Sequence, residues 1–424
     1  MTAYRNVAAV MVAMALLQTA AGALGVALPL AMHAANWSAL AIGLVISAYA
    51  GGFLAGAYFA PHVISMLGHI RAYAAAAGLA AALTLLLALD STVWWWALTR
   101  FAFGACAAGL FAVAESWIAD ATEPARRGAV VSVYQMLGRA GLIAGPFLIT
   151  LPGIDLTDSF IIAGVFVCLA LVPVTATRRA QPVIEHGERV SPLRLLEIAP
   201  AAAIAAFTAG LVNTAMLAFL PIWAKGLADV RAAAPAAFVL AAVFGLSMLV
   251  QWPVGRLSDR VDRRWMIAGL AAGAGFVSLV LVLIVNPGLN AGAALVGLWG
   301  GFSLSYYAVA VAHAADRSRA EELPAIASGM LMVWALGAII GPVLAGAAFN
   351  SPLGERGLFL FAAVFCVALA AVMTWRARVR GPAPEAEREP FVNLQATSAQ
   401  LAEIHPASHA DETVEPAPAG QRGV

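Results

Sequence analysis

Gly141-Leu142-Ile143-Ala144-Gly145-Pro146 reappears as Gly337-Ala338-Ile339-Ile340-Gly341-Pro342, a shift of 196 between residues 141 and 337. Both copies place small residues four apart, on one face of a helix, and follow them with proline. Other landmarks keep the same order around this pair. Leu28-Pro29 returns as Leu220-Pro221, a shift of 192, and Gly104 returns as Gly301, a shift of 197. Unequal loop lengths account for the drift. The 424-residue chain therefore reads as one unit written twice.

The composition says in which solvent that unit folds. The chain is 62% hydrophobic and 11% charged, with a mean hydropathy of +0.86. A soluble domain carries roughly 25% charged residues, so this chain lacks the polar surface to stay in water. Apolar runs of bilayer length, roughly 20 residues, recur at about 7–31, 39–60, 71–89, 94–118, 128–150, 158–177, 199–223, 236–255, 265–285, 291–315, 323–347 and 357–376. The fold class is an all-α membrane protein of twelve transmembrane helices in two pseudo-symmetric six-helix bundles. The first run continues past signal-peptide length to about Met32 and reads as a retained helix.

Charge bias orients the chain. With the N-terminus inside, the inner loops and tails collect nearly all the arginines, from Arg5 and Arg71 through Arg256, Arg260, Arg263 and Arg264 to Arg376 and Arg378. The outer loops hold only Lys225, Arg231 and Arg356. This positive-inside pattern puts both termini in the cytoplasm. Arg- and Ala-rich, Lys-poor usage fits a GC-rich bacterial genome, and hence a multi-pass protein of the inner (plasma) membrane. Trp94, Trp95 and Trp96 fall at an outer helix end, where an aromatic belt is expected. The bundles are 1–177 and 199–376, joined by a cytoplasmic linker at 178–198. Residues 377–424, rich in Pro, Glu and Ala, read as a disordered cytoplasmic tail. Cys106, Cys168 and Cys366 lie in apolar runs and read as buried small hydrophobes.

A half-chain repeat in a membrane protein points to transporters that bind near the midplane and rock one half against the other. The loop after the eighth run reads Gly255-Arg256-Leu257-Ser258-Asp259-Arg260-Val261-Asp262-Arg263-Arg264. It resembles the signature loop of the major facilitator superfamily, usually G-x-L-A-D-R-x-G-R-R. The matching loop after the second run, Pro61 to Arg71, keeps Gly68 but has Ser65 and Met66 where Asp and Arg are expected. Arg100-Phe101-Ala102-Phe103-Gly104 resembles the family's fourth-span motif, and the Gly141 to Pro146 run its fifth-span motif. Glu115-Ser116-Trp117-Ile118-Ala119-Asp120, with Arg127-Gly128 and the run from Gln251 to Arg260, is similar to the YcaD-type subgroup. The resemblance covers about residues 5–377. It implies the major facilitator fold, alternating access and, usually, proton or ion coupling; it names no substrate.

The residues have physical readings of their own. Asp259 is placed to cap the next helix, while Arg260, Arg263 and Arg264 can bridge neighbouring helix ends. Together with Gly255 they form the expected gating loop, against the plainer reading that basic loops only set topology. The glycine pairs are close-packing faces. Ionisable groups inside spans cost roughly 2.5–3.5 kcal/mol, so each asks for a reason. Ser132, Gln135 and Arg139 share a face of the fifth span, and Arg139 reads either as a cavity residue or as half of an ion pair. Arg100 and Glu115 share a stripe of the fourth span. Glu115 reads as a proton carrier or as a partner for Arg126 or Arg127. His313, at its pseudo-symmetric place, is the second candidate for proton coupling. Gln18, Arg100, Gln135, Arg139, Asn213, Ser305 and Tyr306 are the candidate substrate contacts, with helix–helix hydrogen bonds as the competing account of the neutral groups.

These features favour a secondary active transporter of a small solute, with that solute, protons and the bilayer as its expected partners. The two in-span arginines lean toward an anionic or hydroxyl-rich solute. A transporter-like sensor or adaptor without flux is the alternative. No H-E-x-x-H, G-x-S-x-G or Cys/His cluster supports an enzyme. No cofactor, metal or nucleic acid is expected, and the protein is expected to be a monomer.

Overall fold

A backbone in lipid must satisfy its own hydrogen bonds, so apolar runs become helices. The computed structural model describes residues 2–123, 126–177, 192–228, 233–318, 322–379 and 381, and every regular α or β element among them is a helix. They are α1 (Thr2–Ala34), α2 (Ala39–Leu67), α3 (His69–Leu86), α4 (Val93–Ala121), α5 (Arg127–Leu148), α6 (Leu156–Thr175), α7 (Pro192–Ile198), α8 (Pro200–Lys225), α9 (Ala233–Ser258), α10 (Arg263–Leu283), α11 (Gly288–Ser303), α12 (Tyr306–Ala315), α13 (Leu323–Phe349) and α14 (Glu355–Val379). Polar loop residues set their starts. Ser38 accepts from the Ala41 amide to begin α2. At α6, Asp155 and Asp158 form a reciprocal capping box, which satisfies donors that the helix itself cannot.

Eleven stretches are long and apolar enough to cross a membrane. The expected span at 128–150 is the exception. Its helix α5 has 22 residues, enough to cross, but Gln135, Arg139 and four glycines lower its apolarity. Gln135 and Arg139 sit on its buried face, while Met136, Leu137 and Phe147 are exposed, so only part of the helix surface has to be apolar. The expected span at 291–315 is one apolar stretch, Gly288–Ala315, yet its helix breaks at Leu304-Ser305 into α11 and α12.

The repeat in the sequence returns as a repeat in packing. Helix α1 packs on α5 as α8 packs on α13, α2 on α4 as α9 on α11, and α3 on α6 as α10 on α14. Across the halves, α2 lies along α13 and α5 along α9. Glycine makes the tight contacts possible. A Cβ at Gly141 would sit 2.6 Å from the Ala15 carbonyl oxygen, and one at Gly145 would collide with that of Thr19. In the second half Gly337 and Gly341 face the Phe207 and Leu211 carbonyls in the same way. Close-packing faces are therefore what these pairs provide.

Three expectations change. Only Trp94 is openly exposed. The Trp95 and Trp96 indoles donate inward to the carbonyls of Leu86 at 2.8 Å and Asp90 at 2.6 Å, and Trp96 packs edge-on against Trp37 and Phe160. A buried indole N–H needs an acceptor, and the end of α3 and the loop before α4 supply one each. Cys106 and Cys366 are buried, but Cys168 is exposed on α6. Within the expected linker, 178–191 lie outside the described residues, while 192–198 form α7, with Leu195 buried. The 377–424 tail lies outside them too, apart from 377–379 at the end of α14 and residue 381.

Candidate functional site

Apart from Glu115 and its neighbours, the candidate polar residues fall into four separate settings. The first lies on α5. Because Gly141 and Gly145 let α1 approach closely, Gln18 of α1 is laid across Gly138, where an added Cβ would be 3.6 Å from Gln18 Cγ and 3.7 Å from Nε2. Beside it, Gln135 and Arg139 are 7% and 8% exposed. The Arg139 guanidinium carbon sits 5.7 Å from the centre of the Phe244 ring of α9. Gln135 Nε2 and Arg139 Nε are buried without a hydrogen-bond partner. A cation–π contact at this range contributes about 0.5–2 kcal/mol, against the roughly 2.5–3.5 kcal/mol of placing arginine at a membrane depth. The ring alone does not offset the burial. Ser132, expected on the same face, is exposed and donates to the Gly128 carbonyl at 2.8 Å.

Arg100 occupies a second setting. Its guanidinium carbon lies 4.6 Å from the centre of the Tyr49 ring and 4.9 Å from that of Phe103. Gly104, one turn on, brings α4 against the Tyr49 carbonyl. Arg100 is thus gripped where α2 meets α4.

Glu115 is fully buried and accepts a hydrogen bond of 3.1 Å from the Tyr134 hydroxyl of α5. Tyr134 is the residue that sequence reading missed. No fixed spacing links positions 115 and 134, and a tyrosine in an apolar helix gives no signal of its own. Nearby, His69 of α3 meets the Ser116 hydroxyl at 3.1 Å.

The third group closes the α11–α12 break. The Ser303 hydroxyl donates to Asn213 Oδ1 at 2.5 Å, and Asn213 Nδ2 donates back to the Ser303 carbonyl at 3.2 Å. The Ser305 hydroxyl donates to the Gly301 carbonyl at 2.6 Å. Tyr306 is fully buried beside them. Asn213 and Ser305 therefore serve helix–helix and helix-end hydrogen bonds.

The fourth is the loop between α9 and α10. Asp262, not Asp259, caps α10, accepting from the Arg264 amide at 2.9 Å. Because α10 starts at Arg263, position 262 is the one whose side chain reaches the free amides. Asp259 is exposed and 3.7 Å from Arg263. Gly255 is buried, and Arg260 is exposed. Arg263 is buried and binds Asp316 Oδ1 at 2.8 Å and the Ala312 carbonyl, tying α10 to the end of α12 next to buried His313. Arg264 binds Asp262 at 2.6 Å, the Arg376 carbonyl at 3.0 Å and the Gly381 carbonyl at 2.9 Å. In the first-half loop Gly68 takes the place of Asp262, with φ 78°, and closes α2 by donating to the Ile64 carbonyl at 2.7 Å.

Burial pushes the Asp262 carboxyl up, but the hydrogen bonds and charge of Arg264 outweigh it and hold it below its usual value. A depressed acid stabilises the fold above its unfolded pKa and loses that contribution as pH falls through its folded one. Wild type should thus be more heat-stable than Asp262→Asn by a constant margin from about pH 5 to 8, and the margin should shrink below about pH 4. Thermal unfolding of both in detergent across that range checks it.

Against this geometry, known proteins supply the family. A sequence model of the Major Facilitator Superfamily matches residues 10–305 and 235–408. The chain belongs to the major facilitator superfamily. It is accordingly a multi-pass membrane protein and a transporter of the secondary type rather than an enzyme. Uncharacterized MFS-type transporter YcaD of Salmonella newport (strain SL254) is 26% identical over 334 residues, 78% of this chain and 85% of the relative, and the Salmonella typhi protein of that name matches equally. So the YcaD-type resemblance read from the sequence holds for this major facilitator chain. Among solved structures, nucleoside transporter NupG superposes with a TM-score of 0.72 at 13% identity, covering 88% of this chain and 99% of that one. A bacterial homolog of the human lysosomal transporter Spinster, inward-facing and occupied, gives 0.70 at 16%, covering 90% and 97%. The E. coli fucose:proton symporter FucP gives 0.58 at 16%, covering 89% and 100%. At these identities it is the major facilitator fold that is shared.

Proposed function

We propose that this chain moves a small solute across a bacterial inner membrane by alternating access, driven by protons. In this reading residues 1–177 and 199–376 are two six-helix bundles joined at 178–198, α5 is the twelfth span, α11 and α12 count as one, and both termini are cytoplasmic. The observation that carries it is the seam between α2 and α13. Gly43 faces the Pro342 carbonyl, Gly346 faces that of Ala39, and the Ala39 amide donates to Asn350 Oδ1 at 3.3 Å. All of these lie toward one end of the two helices, the end that the charge bias makes external. A contact between halves that is tight at one end and built from small residues suits a joint that opens and closes.

Glu115 is the proposed proton carrier. It is a fully buried acid that accepts a hydrogen bond from the Tyr134 hydroxyl, and an ionisable group at membrane depth marks a proton or ion pathway. The fucose:proton symporter among the structural neighbours supports proton coupling. The α9–α10 loop, with Asp259, Arg263 and Arg264, is the proposed cytoplasmic latch, and the chain works as a monomer. The test is solute-triggered proton flux in proteoliposomes across a broad solute panel. Flux in wild type that disappears in well-folded Glu115→Gln is the expected result. Flux that persists unchanged removes Glu115 from the coupling step, and transport of a solute with no proton movement removes coupling altogether.

A further inference from the structure

We propose that Arg139, with Gln135 and Gln18, is the recognition point for the carboxylate of a solute whose remaining body is apolar; this rests on the transport reading above. The unmet groups are all of one kind. Arg139 Nε and Gln135 Nε2 are N–H donors, both buried and both without an acceptor. Among the described residues no Asp or Glu pairs with Arg139. A buried cation flanked by spare donors calls for an anionic acceptor, and the planar guanidinium fork matches a carboxylate in two-point contact.

The location suits a transported ligand. Arg139 lies near the middle of the 22-residue α5, and Phe244 near the middle of the 26-residue α9, so their contact falls near mid-membrane and between the two halves. The surroundings supply the apolar complement. Phe244 and Leu240 of α9 are buried, and Leu240 reaches 3.9 Å from the Cβ position of Gly25 on α1. Gly138, lacking a side chain, leaves the room in which Gln18 lies. Arg100 is equally buried, at 8% exposed, and its Nε and Nη1 are also unpartnered. But two aromatic rings flank its guanidinium, and among the described residues no spare amide donor lies beside it as Gln135 does beside Arg139.

The probes are matched pairs differing only in charge: benzoate and benzamide, phenylacetate and phenylacetamide, hexanoate and hexanamide, with benzylamine as the cation. Binding to the purified full-length protein in nanodiscs is read by calorimetry and by thermal shift at pH 7.5. At least one carboxylate should bind tenfold or more tighter than its amide, the scale of one charge-assisted hydrogen bond, with benzylamine silent. Arg139→Gln should abolish that preference, while Arg139→Lys, which keeps the charge, retains part of it and controls for folding. Carboxylates that never exceed their amides, or a preference that survives in folded Arg139→Gln, overturns the site. Failure of the transport reading looks different: charge-selective binding at Arg139 with no uptake or release of the same carboxylate by proteoliposomes.

Discussion

Gly341→Val should leave little folded protein to purify, and what remains should be destabilised by about 3 kcal/mol or more, the upper range for overpacking. The added branch at residue 341 meets backbone, since the Cβ alone would collide with the Leu211 carbonyl of α8. A flexible side chain could swing away; a helix carbonyl with packed neighbours can only carry its helix with it. Gly145→Val should fail in the same manner against the Thr19 carbonyl of α1. Gly245→Ala provides the contrast, because nothing lies within 4 Å of its added Cβ. That change should be neutral or stabilising by up to about 1 kcal/mol through helix propensity. Yield and thermal unfolding in one detergent compare the three. Equal behaviour of Gly341→Val and Gly245→Ala would show that the close approach of α8 and α13 does not limit stability.

The second large effect concerns Arg263 and Asp316. Their side chains are 1% and 4% exposed and 2.8 Å apart. Removing one partner leaves the other charge buried without it, which costs about 3–5 kcal/mol. Asp316→Leu and Arg263→Leu should each lower the unfolding temperature sharply. The double substitution should recover most of the loss, because apolar replacement of a whole buried pair is often close to neutral. A double mutant no better than the worse single one would mean that the Ala312 carbonyl, or another contact of Arg263, carries the stability.

The repeat was legible because its cause is local and strict. Only glycine permits the backbone approach found at positions 141, 145, 337 and 341, so the pattern survives in both copies. The spans were legible because lipid demands apolar length, and α5 is the weakest of them because its buried face carries Gln135 and Arg139. The settings of the polar residues were much less legible. Helical spacing grouped Ser132 with Gln135 and Arg139, but it does not tell an exposed position from a buried one along the same face. It placed Glu115 correctly inside the bundle and could not reach Tyr134, whose relation to it is tertiary. The reading of the loop gave the capping role to Asp259, whereas α10 begins late enough for Asp262 to take it. Asn213 and Ser305 read equally as solute contacts or as helix–helix hydrogen bonds, and spacing alone could not show that they bond at the helix break.

That break has a mechanical consequence. Ser303, Ser305 and Asn213 supply hydrogen bonds at the interruption, so the elbow costs the bundle little and belongs to its resting shape. A continuous rod passes torque from end to end; an elbow does not. Were the loop end of the second half to shift with Arg263 and Asp316, the ten residues of α12 are what it would carry, and Leu304-Ser305 is the point beyond which the sixteen residues of α11, packed on α9, need not follow.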